Sequence, residues 1–314
     1  MKKLIYIFIV FFMGSGILMA QVSETHIATK VPALNGHRFL SSSAYRSSFI
    51  NTKIDANLGF GMTSLMDIPG IKIDDYQIFN FQGRIIFFNM KVEYQQRFTP
   101  WLAMFASFEM NGRIGGDMST ILADGVNTLN GGEIGWLIRL KQSKKLNLSA
   151  SVNVQNLSGN FINVVEYVEE VIDGNQYPSV IKKVPAMSFE GGILGAWGIN
   201  STYGLQFHAD YGYGESFERT KTHGYVAAGF SLEADLMPKS NVPLGFGLGY
   251  SISSAPNIVM NNDGFSNLIS ANLAYTGSHD FELGLQYKLY NLHINIVNEQ
   301  TYINNVLLVL RFYF

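Results

Sequence analysis

From Lys53 to the last residue, apolar and polar side chains alternate with a period of two, the pattern of strands whose two faces meet different surroundings. At 304–314, Val306, Leu308, Leu310, Phe312 and Phe314 share one parity. Asn305, Arg311 and Tyr313 share the other with Leu307 and Val309. The stretch at 53–62 sets Ile54, Ala56, Leu58, Phe60 and Met62 against Lys53, Asp55, Asn57, Gly59 and Gly61. The same reading predicts strands over 82–98, 102–113, 131–141, 146–157, 187–199, 202–213, 223–236, 243–253, 265–276 and 279–290. That makes twelve strands, with ten or fourteen as the neighbouring counts. Near Asn291 the apolar phase flips, as a β-bulge would make it do.

The predicted connections alternate in length. Short ones fall near 99–100, 142–145, 200–201, 237–242 and 277–278; long ones fall near 63–81, 114–130, 158–186, 214–222, 254–264 and 291–303. Two long ones carry helical spacing: Met118, Ile121, Leu122, Val126 and Leu129 before Asn130-Gly131-Gly132, and Phe161, Val164, Val165, Val168 and Ile172 before Gly174. Strands of about ten residues, an even count and this alternation describe a membrane barrel with short turns on one side and long loops on the other.

With Phe314 closing the last strand, the chain resembles Gram-negative outer-membrane β-barrels. The resemblance implies an all-β, antiparallel up-and-down transmembrane barrel over 53–314. It also implies that Phe314 is the signal read by the barrel-assembly machinery, and that outer-membrane lipid and lipopolysaccharide surround the belt. An amino-terminal segment able to enter the lumen, together with helical outer loops, is loosely similar to the long-chain fatty-acid transporter family, whose barrels have fourteen strands.

Composition adds compartment. Lys2 and Lys3, the apolar run Leu4 to Met13 and Leu18-Met19-Ala20 read as a signal peptide over 1–20, cleaved before Gln21. Cleavage raises the acidic excess from two to four, which argues against nucleic acid as a partner. With no cysteine, thiolate metal sites and a lipoprotein anchor are excluded. The 31 Gly, 23 Phe and 16 Tyr suit a curved sheet with aromatic girdles. Residues 21–52, with Pro32, Gly36 and a Ser-rich run from Ser41 to Ser48, form either a periplasmic leader or a plug in the lumen.

The polar phase nominates lumen-facing charges: Lys91, Glu93, Arg97, Glu109, Arg113, Glu133, Arg139, His208, Asp210, Glu233, Asp235, Glu282, Lys288 and Arg311. A lumen this evenly charged either cross-bridges itself or lines a pore. Gly245, Gly247 and Gly249 recess one wall, for something to pack against or for a conduit. The face Phe161, Val164, Val165, Val168 and Ile172 either glues loops at the rim or forms a gate. Some twelve-strand outer-membrane barrels are lipid hydrolases or deacylases, but here no Gly-x-Ser-x-Gly surrounds a serine and His208 with Asp210 is the nearest thing to a dyad. Asn261-Asn262-Asp263-Gly264 reads as a turn before it reads as a calcium loop, and neither cofactor nor metal is expected. Three functions fit: a passive channel or transporter for a small or hydrophobic solute, a lipid-modifying enzyme, and a closed structural or surface-binding barrel.

Overall fold

The computed structural model describes residues 31–314 except 43, 70–71, 74–75, 78–79, 115–124, 163–166, 168–169, 176, 180, 216–221, 255–264 and 295–298. The proposed signal peptide therefore lies outside the described residues.

Twelve antiparallel strands close into a barrel. They are β1 (Lys53–Thr63), β2 (Ile86–Thr99), β3 (Leu102–Ile114), β4 (Gly125–Gln142), β5 (Leu146–Ile162) and β6 (Ile181–Gly198). The circuit continues with β7 (Tyr203–Glu215), β8 (Thr222–Asp235), β9 (Leu244–Ser253), β10 (Ser266–Tyr275), β11 (Phe281–Ile294) and β12 (Glu299–Tyr313). Each strand pairs with the next, and β12 returns to β1 with Tyr313 opposite Lys53 and Leu308 opposite Leu58. Closure satisfies every edge, as a bilayer demands.

The two faces follow the alternation. Outward positions such as Phe60, 65% exposed, and Leu248, 66% exposed, form the apolar belt. Trp101, Trp197, Tyr203 and Tyr275 ring the short-turn end, while Tyr211, Tyr213, Tyr250 and Tyr302 stand exposed further up their strands. Amphipathic rings at both ends of an apolar band belong at bilayer interfaces. Most inward positions are small or polar and buried, among them Asn57, Asn147, Ser149, Gln206, Ser231 and Gln286, with Phe105, Leu137 and Leu194 as apolar exceptions.

Several details depart from the sequence reading. Strand β4 begins at Gly125, so Val126–Leu129 are extended, not helical. Asn130 pairs with Met110 on one side and Ser158 on the other. Two neighbouring strands offer a ladder that a lone helical turn cannot match. Phe161 likewise lies within β5, opposite Lys182; Tyr167 and residues 170–172 are helical, and Gly174 at φ 71 ends that turn, with Asn175 N–H bonded to Glu170 O at 2.9 Å. The flip near Asn291 is not a bulge, because Asn291 faces Tyr302 and Leu292 faces Thr301 in unbroken register. Register shifts occur instead beside Arg97, Val126 and Arg139. The connection before β8 and the one after β11 shrink as their strands extend, while the first long connection holds a ribbon pairing Met66–Pro69 with Asn80–Gly83. The turn between β8 and β9 holds a four-residue helix, Met237–Ser240.

Candidate functional site

Residues 31–52 lie against the inner wall near the short turns. Their local structure starts with a two-residue hairpin turn: Asn35 (φ 52) and Gly36 (φ 83) both adopt the left-handed backbone, and Ala33–Leu34 pairs with His37–Arg38. Asn-Gly is the dipeptide that this turn requires. Asn35 Nδ2 then donates to Ile199 O at 3.2 Å, and Arg38 Nη1 donates to Ser278 O at 2.6 Å, both in short turns of the barrel.

Beyond the hairpin the chain has no regular structure, so its backbone groups need other partners. Inward barrel side chains supply them. Gln95 Nε2 donates to Phe49 O and Asn51 O, both at 2.9 Å; Asn147 Nδ2 donates to Ser48 O at 2.7 Å; Gln206 Nε2 donates to Leu40 O at 3.0 Å. Leu40 N donates to Glu233 Oε2 at 2.9 Å and Ser41 N to Glu282 Oε1 at 2.7 Å. Apolar contacts join in: Ile50 packs with Ala103, Phe105, Leu137 and Leu194, while Leu34, Phe39 and Phe49 gather on Ala196. Glycines make the room. A Cβ on Gly204 would sit 2.3 Å from His37 Cδ2, one on Gly198 would sit 2.4 Å from Leu34 O, and one on Gly245 would sit 2.7 Å from Leu40 Cδ2.

The deepest residues of this segment are Tyr45 and Arg46. Tyr45 stacks on His208, with ring centroids 4.8 Å apart and planes at 17°. Burial, and then the nearby Glu233, push its phenol well above the ordinary range. Arg46 Nη1 pairs with Glu93 Oε2 at 2.6 Å, and Nη2 donates to Glu133 Oε1 at 2.8 Å, over the face of Phe105. Burial opposes the guanidinium charge, but Glu93 and Glu133 outweigh it and hold its pKa above the usual arginine value. The pairing then spreads through the wall. Lys53 Nζ reaches Glu93 at 3.1 Å and Asp55 at 3.6 Å; Arg311 holds Asp55, and Lys91 stands 3.8 Å from Glu133.

Above this floor is a cavity of about 340 Å³. Arg46, Lys53, Lys91, Glu93, Glu133, Glu190, His208, Asp210 and Arg311 line it, with Ser251 and Ser253 from the recessed wall. A chamber of this size suits a small molecule, and its wall offers charge on every side.

The charges expected in the lumen divide into four groups. Lys91, Glu93, Glu133, His208, Asp210 and Arg311 line the chamber. Glu233, Asp235 and Glu282 are occupied with the inserted segment, with Asp235 also accepting from Thr276 Oγ1 at 3.0 Å. Arg97 and Lys141 stand exposed at the short-turn rim and Arg139 half-buried beside them, next to the register shifts in β2 and β4. Glu109 and Arg113 are half-buried in β3, and Lys288 is buried with its ammonium 6.0 Å from the Tyr290 ring. Of the recessed glycines, Gly245 receives Leu40, whereas Gly247 and Gly249 face Asn272 and Ser270. Val164, Val165 and Val168 lie outside the described residues, and Ile172 is exposed. Phe314 is exposed at the end of β12, its amide donating to Thr52 O at 3.0 Å.

His208 Nδ1 meets Asp210 Oδ2 at 2.5 Å, but Nε2 has no hydrogen-bond partner among the described residues. No hydroxyl is therefore poised there as a nucleophile, and the hydrolase alternative gains no support. Sequence reasoning missed Arg46 and the glycines Gly198 and Gly204. A signal was present in the apolar residues that break the polar phase near the short turns: Ala103, Phe105, Leu137, Leu194 and Ala196.

The closed sheet, apolar belt and polar interior define a twelve-strand up-and-down β-barrel with the architecture of membrane-spanning barrels. No family model matches the chain, and no curated protein matches it. Among solved structures it is similar to the translocator domain of the autotransporter NalP from Neisseria meningitidis, with 8% identity, 84% of this chain and 88% of that chain covered, and a TM-score of 0.50. It is also similar to the KdgM porin in complex with disordered oligogalacturonate (8% identity, 83% and 99% covered, TM-score 0.44) and to the P. putida toluene transporter TodX (8%, 84% and 90%, 0.43). At such identities the likeness is one of fold.

Proposed function

We propose that this barrel is a passive outer-membrane channel for a small solute, held shut at its short-turn, periplasmic end by residues 31–52. The observation that carries this reading is the charged cavity of about 340 Å³ resting on Tyr45 and Arg46. A structural barrel has no need of such a space, since side chains could fill it. The charged wall favours a polar solute over a hydrophobic one.

Planar-bilayer recording of the purified protein tests the reading. The full chain is expected to conduct weakly or in rare openings, and a variant lacking residues 31–50 to conduct in large, stable steps. Silence in both would overturn the channel and leave the closed structural barrel, which the buried ion pairs along the inner wall and to the inserted segment otherwise support.

The same reading surrounds the apolar belt with outer-membrane lipid and lipopolysaccharide, after export and cleavage of residues 1–20. Phe314, exposed beside β1, is then a contact for the assembly machinery. Phe314→Ala is expected to lower the yield of folded barrel in outer-membrane fractions; an unchanged yield would remove that role.

A further inference from the structure

Each carboxylate that holds Arg46 is shared between two cations. Glu93 turns Oε1 to Lys53 Nζ at 3.1 Å and Oε2 to Arg46 Nη1 at 2.6 Å. Glu133 turns Oε2 to Ser107 Oγ at 3.0 Å and Lys91 Nζ at 3.8 Å, and Oε1 to Arg46 Nη2 at 2.8 Å and to Asn153. The Phe105 ring lies below, its centroid 3.2 Å from Arg46 Cζ. All of these partners except Arg46 belong to the barrel wall. Two carboxylates flanking one side-chain cation, one of them accepting a hydrogen bond from it, over an aromatic face, suit a flat, delocalised guanidinium better than a compact ammonium. The clamp opens on the cavity, which Arg46, Glu93 and Glu133 all line.

We propose that Glu93, Glu133 and Phe105 form the solute site of this barrel, that it takes a solute bearing a guanidinium or amidinium group, and that Arg46 is its resident occupant. This rests on the channel reading for its physiological meaning, though not for the binding itself. Lys53 and Lys91 neutralise the outer oxygens, so the inner pair attracts one cation without trapping it. A solute arriving from the loop side competes with Arg46 for the same two oxygens. Its binding withdraws the deepest anchor of the inserted segment. The remaining anchors, from Asn35 to Ser41 on one side of it and from Ser48 to Asn51 on the other, lie closer to the short turns and hold both ends of the segment in place.

The test is chemical complementation. Arg46→Ala removes the resident head group. Ethylguanidinium is then titrated into the folded variant by calorimetry, with N-ethylurea as its uncharged isostere. Expected is saturable binding of ethylguanidinium, severalfold weaker in the unmodified protein, lost in Arg46→Ala/Glu133→Gln, and absent for the urea. No saturable binding, or equal binding with and without Glu133, would overturn the clamp. Should Arg46→Ala not fold, the unmodified protein serves: at matched ionic strength, ethylguanidinium should raise protease cleavage within 31–52 relative to sodium, and equal cleavage would overturn the proposal. Planar-bilayer currents separate the two readings. Binding without conductance in any variant removes the channel and keeps the ligand site; conductance without binding removes the clamp alone.

Discussion

Arg311 on the last strand donates from Nε to Asp55 Oδ2 on the first at 2.9 Å, across a sequence separation of 256 residues. Arg311 and Asp55 are buried, and they sit opposite one another in the β12–β1 register. The pair therefore ties together the seam on which the whole barrel depends.

Removing one partner of such a pair strands a buried charge, which typically costs about 3–5 kcal/mol. Lys53, 3.6 Å from Asp55, takes over part of the compensation, so Arg311→Met is expected near the lower end. Urea unfolding in lipid vesicles gives the number. The double variant Asp55→Leu/Arg311→Leu should recover much of the loss, because no charge is then left unpaired.

The glycines around the inserted segment should differ in severity. Gly198→Ala drives a Cβ to 2.4 Å from the backbone oxygen of Leu34, while Gly247→Ala meets nothing closer than 3.3 Å. Limited proteolysis within 31–52 is expected to rise sharply for the first variant and to stay at the unmodified rate for the second. Equal rates would mean that the hairpin does not depend on this close approach.

Gly36 adopts φ 83 and sits 3.1 Å, by its notional Cβ, from Ser201 Cβ. An alanine there carries the left-handed penalty of about 1–2 kcal/mol. Amide exchange should report it at Phe39 and Leu40, whose N–H groups bond to Pro32 O and Glu233. Protection at Leu308, in the barrel seam, should not change.

Leu248 points outward from the middle of β9 and is 66% exposed. Arginine at that position faces hydrocarbon and is expected to cost about 2–4 kcal/mol of folding free energy in vesicles. A cost below about 0.5 kcal/mol would place Leu248 outside the bilayer and call for a shifted belt.

The alternation of side chains made the barrel legible in the sequence. Strand existence, order, count and facing depend on a local period of two and on the turn spacing, and both are written in consecutive residues. Local rules failed where a neighbour overrode them. Val126–Leu129 had helical spacing, yet strands on both sides drew them into the sheet, and the apolar flip at Asn291 did not break a register held by β10 and β12. The Asn35-Gly36 turn was readable in principle, since both residues favour positive φ.

The occupied lumen was not legible. Arg46 and Glu133 stand 87 residues apart, and Arg38 and Ser278 stand 240 apart. Nothing in the spacing of those residues selects one partner among the many inward carboxylates and carbonyls. The sequence by itself determined which side chains face lipid and which face inward, because pleat and period are backbone properties. Only the closed structure decided that an irregular segment would fill one end of the barrel and bring its arginine between two glutamates. That contact exists because closure brings β2 and β4 around a common interior, where buried charge must find its opposite.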